Sequence, residues 1–105
     1  MKLFLDMDGV IADFFGHFEQ VHNLEHWKDH PDAITAIEAM KNTDWFNQLS
    51  PFANSGWLVD QCRLIAGRDY GICSSPIAGD LPNSSYWKRV WLDRYGFLPE
   101  IPNLL

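Results

Sequence analysis

The chain has 105 residues, 47% of them hydrophobic and 14% aromatic, enough apolar surface for one packed domain but not enough length for two. Its formal net charge of −6 argues against a nucleic-acid polymer as partner, because affinity for a phosphate backbone comes from Lys and Arg. Cys62 and Cys73 form no CxxC pair or disulfide framework, and no apolar run has signal-peptide or bilayer-spanning length, so a cytoplasmic chain without membrane contact is expected.

Lys2 to Leu5 is a short apolar run ending on Asp6, and Gly9 permits a turn. This predicts a buried strand of parallel type with carboxylates at its C-terminal edge. From Ala12 to about Trp27, Phe14, Phe15, Phe18, Val21 and Leu24 recur at three- and four-residue steps, the spacing of one helix face. Pro31-Asp32 opens a second helical stretch through Met40, which fades at Asn42-Thr43 before the aromatic pair Trp45-Phe46. Positions 14–48 therefore read as a small helical insert. Asn54-Ser55 offers an N-cap for a helix that Gly67 stops, and Tyr70 to Cys73 reads as a second strand. After the turn-rich segment Ser75 to Pro82, Asn83-Ser84 is placed to cap a last helix running through Trp87, Val90 and Trp91 to Gly96. Strand, helix, strand, helix without repeats predicts one α/β domain over 1–105, with 1–13 and 49–105 as core, parallel pairing, and ligands beyond the strands' C-terminal ends.

The chemistry concentrates at those ends. A carboxylate attacks phosphorus only when a cation removes the repulsion between two anions, and Asp6, ending the first strand, is the candidate nucleophile. Asp8 is placed to protonate the leaving oxygen and later to take a proton from water. Gly9 lets the backbone fold around a phosphoryl group, with N–H groups leading into the helix as further donors. Magnesium would complete the site through carboxylate and carbonyl oxygens, with Asp6 and Asp8 as its ligands. Ser74, with Ser75 second, brings a hydroxyl to the same sheet edge, and Lys88 on the last helix supplies a cation for phosphoryl oxygens. His22-Asn23-Leu24-Glu25-His26 matches the H-x-x-E-H zinc pattern with both imidazoles on one helix face, but so short a match arises easily by chance.

Asp6-Met7-Asp8-Gly9-Val10-Ile11-Ala12-Asp13-Phe14 resembles motif I of the haloacid dehalogenase superfamily, with Ser74 at motif II and Lys88 at motif III. The Ile72-Cys73-Ser74-Ser75-Pro76 stretch and the Tyr86-Trp87-Lys88 to Gly96 helix are similar to those of the 5'(3')-deoxyribonucleotidases. The resemblance implies a Rossmannoid three-layer fold with a helical cap. It also implies dephosphorylation of a (deoxy)nucleoside monophosphate through an aspartyl-phosphate. Phe14, Trp45 and Phe46 would wall the base pocket, with Phe14 and Trp45 kept as its candidates. The family's fourth motif, an acidic pair ending a further strand, has no counterpart: after Lys88 only Asp93 and Glu100 remain, and neither ends an apolar strand. The chain reads as C-terminally truncated at Ile101 to Leu105, where the next strand would begin. A two-strand sheet would keep an open edge, so the alternative is a catalytically impaired remnant that binds a partner or forms a homodimer.

Overall fold

The computed structural model describes residues 2–100 and 104. Two strands, β1 (Leu3–Asp6) and β2 (Tyr70–Cys73), pair in parallel, with Leu3 opposite Tyr70 and Asp6 opposite Cys73. Asp6 itself joins the ladder as the last residue of β1. Tyr70, Gly71 and Ile72 are buried in succession while β1 alternates between half-buried and exposed. That pattern fits a continuously apolar inner strand and a less covered neighbour. Of the stretch where a next strand was expected, 101–103 and 105 lie outside the described residues, while Leu104 makes an isolated parallel bridge to Ile72.

The insert holds α1 (Phe14–His22) and α2 (Ala33–Glu38), with short 3₁₀ turns at Trp27–Asp29 and Trp45–Gln48. Asp13 caps α1 by accepting the Gly16 N–H at 2.9 Å. The apolar period promised a helix as far as Trp27, but Asn23 takes the left-handed conformation, φ 55°, and ends it. Leu24 and Trp27 still pack against the core, now from the loop. At α2, Asp32 accepts from the Thr35 N–H and hydroxyl, and these bonds hold its carboxyl below the usual range.

α3 (Ser55–Ala66) stops where Gly67 turns to φ 57°, as expected. Its first residue, buried Ser55, donates to the Ile11 carbonyl at 2.8 Å and so ties the helix to the loop after β1. α4 (Leu81–Arg94) begins before the expected Asn83-Ser84 cap, with Asp80 as N-cap. Pro82 costs nothing in a first turn, where its missing N–H would have no helical partner. Asn83 and Ser84 spend their side chains elsewhere: the Asn83 amide donates to the Thr43 carbonyl at 2.9 Å, and the Ser84 hydroxyl to Asp80 Oδ2 at 3.1 Å.

Met7, Ile11, Leu49, Val59, Ile72, Trp91 and Leu92 form the fully buried centre between the sheet, α3 and α4. Trp91 fits there because its Nε1 donates to the Leu49 carbonyl at 2.8 Å, leaving no indole donor unmade. The Tyr70 hydroxyl likewise donates to the Phe97 carbonyl at 2.7 Å, and burial pushes its pKa up to about 12. The result is a mixed α/β arrangement with the helical insert on the side of the strand ends. No helix of the described residues is long and apolar enough to cross a membrane.

Candidate active site at the strand ends

Because β1 and β2 run in parallel and in register, the loops that follow them leave on the same side of the sheet. The loop after β1 is knotted around one acceptor. The buried Met7 carbonyl receives the N–H groups of Val10, Ile11 and Ala12 at 3.3, 3.0 and 2.9 Å. Gly9 sits at φ +80° with its N–H on the Ala12 carbonyl at 2.8 Å, and a Cβ there would stand 3.2 Å from the Phe15 ring. The conformation requires glycine, and a Cβ would also press on the Phe15 ring. The Asp13 N–H goes to the Ser50 carbonyl at 2.9 Å. The amides expected to grip an anion at the start of α1 are thus engaged inside the fold, which leaves side chains as the main donors.

Lys88 is the chief of these. It lies two turns into α4 and is only 5% exposed. Its Nζ donates to Ser74 Oγ and the Ser75 carbonyl, both at 2.5 Å, and to Asp8 Oδ2 at 3.2 Å. Those bonds use all three ammonium hydrogens. The Phe46 ring covers another side, its centroid 4.4 Å from Nζ. One cation therefore joins the loop after β1, the loop after β2 and the helical insert, from residues as far apart as 80 positions. Of the expected site residues, the structure brings Asp8, Ser74, Ser75 and Lys88 into direct contact. Asp6 is exposed at the end of β1 opposite Cys73, close enough for its charge to act on Asp8.

The electrostatics of the pair are unusual. Burial raises the Asp8 pKa above the ordinary carboxylate value, against the lowering effects of Lys88 and of the Ser74 hydroxyl, and the Asp6 charge adds to the rise. Burial also depresses the Lys88 pKa, against the raising effect of Asp8. Desolvation thus outweighs attraction for both partners. Asp8 Oδ1 is buried without a hydrogen-bond partner among the described residues.

That orphaned oxygen bears on the expected magnesium. Mg²⁺ is commonly held by one or two carboxylates together with phosphate oxygens and water, and Asp6 and Asp8 supply such a pair at one sheet edge. Among the described residues no group of three or more His, Cys, Asp or Glu side chains comes together, so these two acids are the residues that would hold it. The zinc pattern fails on geometry. α1 ends at His22, which packs against His30 at 4.8 Å between ring centroids, while His26 stacks on Trp27.

A cleft of about 320 Å³ opens between insert and core, with Asp8 and Ser75 on its polar side and Phe14, Phe15, Ile37, Phe46 and Ile77 among its apolar walls. Phe14 lines this cleft. Trp45 is buried against Phe14, ring centroids 5.7 Å apart, and does not line the cleft. A larger groove of about 760 Å³ follows the other edge of β2, between Ile72, Leu104, Tyr86 and Leu98; it reaches Ser74 and Lys88 but neither Asp6 nor Asp8.

Sequence reasoning passed over Phe15 and Asp80, and named Phe46 as a pocket wall without keeping it as a candidate. Phe15 and Phe46 face the cleft, and helical spacing alone does not separate wall from core. Asp80, 4% exposed, accepts from the Asn42 N–H at 3.1 Å, the Asn83 amide at 3.0 Å and the Ser84 hydroxyl at 3.1 Å. These bonds, Asn83's foremost, hold its carboxyl below the usual range. The one sequence signal for Asp80 was an acid directly before a Leu-Pro helix start. Comparison with family models finds no match for this chain, and comparison with curated proteins finds none either.

Proposed function

We propose that this chain is a magnesium-dependent phosphohydrolase of the haloacid dehalogenase type, with that family's Rossmannoid core and helical cap. Like the 5'(3')-deoxyribonucleotidases it resembles, it would release phosphate from a (deoxy)nucleoside monophosphate. The observation that carries the reading is the convergence of Asp8, Ser74 and Lys88, from three separate segments, beside Asp6 at the end of a parallel strand pair.

Asp6, exposed at the strand end, attacks phosphorus and forms an aspartyl-phosphate. Asp8, whose raised pKa favours the protonated form, donates to the leaving oxygen and afterwards accepts a proton from the hydrolytic water. Magnesium, when bound, supplies the positive charge that lets one anion approach another. Ser74 and Lys88 hold the phosphoryl oxygens. The ammonium's longest bond, to Asp8, is the one a phosphoryl oxygen displaces. The ring faces of Phe14, Phe15 and Phe46 suit a flat base beyond the ester oxygen.

The test is phosphate release from a deoxynucleoside monophosphate with and without magnesium, in the natural chain and in Asp6→Asn. The reading requires release that needs the metal and that Asp6→Asn abolishes; equal release by the variant would remove Asp6 as nucleophile. A second reading, a catalytically impaired relative that binds a partner or a second copy, draws on the outer edge of β1, which carries no strand among the described residues. Light scattering over a concentration series separates the two: a monomer with turnover leaves this second reading without support.

A further inference from the structure

We infer that Phe46 is a positioning residue of the phosphoryl-transfer site: its ring face holds the Lys88 ammonium between Asp8 and Ser74, so that the helical insert fixes where that charge stands. The inference rests on the phosphohydrolase reading and extends it to a residue outside both strand-end loops.

Nζ of Lys88 stands 4.4 Å from the Phe46 ring centroid. The two residues are 5% and 3% exposed, so the contact is desolvated, the condition under which a cation and a ring quadrupole attract most strongly. The three hydrogen-bond acceptors around the ammonium all belong to the loops after β1 and β2, whereas Phe46 belongs to the 3₁₀ turn of the insert. That turn is itself fastened to α4. Arg94 donates to the Asn47 carbonyl at 3.1 Å and also to its side-chain oxygen, and Trp91 donates to the Leu49 carbonyl. Ring and ammonium are thus mounted on one helix and hold a common position. When a phosphoryl oxygen displaces Asp8 from Nζ, the ring keeps the cation aimed at the loops. Phe46 also walls the cleft beside Asp8, so the ring that would face the substrate also orients the charge.

Fluorination drains negative charge from a ring face with little change of shape, which separates this role from packing. A series of singly to multiply fluorinated phenylalanines at position 46 is expected to lower kcat for a deoxynucleoside monophosphate stepwise, by about fivefold to tenfold across the series, with KM changing less. Phe46→Leu should fall at least as far. A flat fluorination series would overturn the inference. If the natural chain releases no phosphate, the phosphohydrolase reading fails, and urea midpoints of the same series decide about the contact. They should fall with fluorination in the Lys88 protein and stay level in the Lys88→Met background; level midpoints in both would sink it.

Discussion

Asp80, Ser84 and Lys88 follow one another at four-residue steps from the N-cap of α4 onward, all three buried, yet they belong to two polar clusters of opposite character. Around Asp80, one carboxylate collects three donors and its acidity increases, so the bonds outweigh the loss of water. Around Lys88 the bonds are as numerous, but Asp8 is pushed up, Lys88 is pushed down, and one Asp8 oxygen has no partner among the described residues. Counting hydrogen bonds does not tell the two apart; the direction of the pKa shifts does. The first cluster joins the insert to the core through Asn42 and Thr43. The second keeps two charges in places where neutral forms would be easier to hold, and such frustration beside a cleft is in keeping with the proposed site.

The widest separation between the clusters is expected in rate. Lys88→Met should lower kcat for phosphate release by about 10²- to 10³-fold, the usual loss when one preorganised donor to a developing charge is removed. In the double variant Lys88→Met with Asp8→Asn, stability should hold or rise rather than fall, because replacing a largely buried ion pair by uncharged groups of similar volume is often neutral or stabilising. Steady-state kinetics and thermal melts check the two halves. A double variant that melts well below the natural chain would show that the Lys88 cluster, like the Asp80 cluster, is mainly structural.

Asp80→Asn is the converse. The amide cannot accept all three donors as an anion does, so the melting temperature should fall while kcat, measured well below the melt, stays close to that of the natural chain. A fall in kcat without a fall in melting temperature would move Asp80 into the site.

The same contrast sets how far the sequence could be read. Both strands, the stop at Gly67 and the order Asp6, Asp8, Ser74, Lys88 were legible, because each rests on a local signal: an apolar run, a glycine, an acid at a strand end. The meeting of Asp8 and Ser74 followed from parallel pairing, which brings the strand ends together whatever lies between them, while Lys88 was placed by its order after them. The early end of α1 was missed because one left-handed Asn23 overrides an apolar period that continues to Trp27. The early start of α4 was missed because Asn83 and Ser84 look like caps but serve a contact 40 residues away, to Thr43, and a bond back to Asp80. Long-range demand for a polar side chain leaves no local trace.

Acid titration should separate the clusters with opposite sign. Asp80 has its pKa held below the ordinary value of 3.8, so its contribution to stability is present above that pH and is lost as pH falls through the lowered value. Asp8 has its pKa raised from 3.8, so its contribution is present below that pH and is lost as pH rises through the raised value. Urea midpoints between about pH 2 and pH 7 should therefore show a flatter acid limb in Asp80→Asn than in the natural chain. Asp8→Asn should show its largest gain, relative to the natural chain, at the neutral end. The same gain at both ends would mean that Asp8 carries no burial penalty.

The smallest expected effect belongs to Trp45. Sequence reading put its ring in the base pocket, but the residue is 6% exposed, packs on Phe14 and His17, and stands outside the cleft lining. Its Nε1 is also buried without a partner among the described residues. Trp45→Phe removes that unmade donor, a relief of about 1–3 kcal/mol, and at the same time leaves a small void whose cost is of similar size. The two terms oppose, so stability should change by no more than about 1 kcal/mol, a melting shift of a few degrees for a chain of this length. KM should stay level, whereas Phe15→Leu, which alters a true wall of the cleft, should raise it. If Trp45→Phe raises KM and Phe15→Leu does not, the base lies deeper in the insert than the cleft, and the polar side of the site has to be redrawn from Asp8 toward α1.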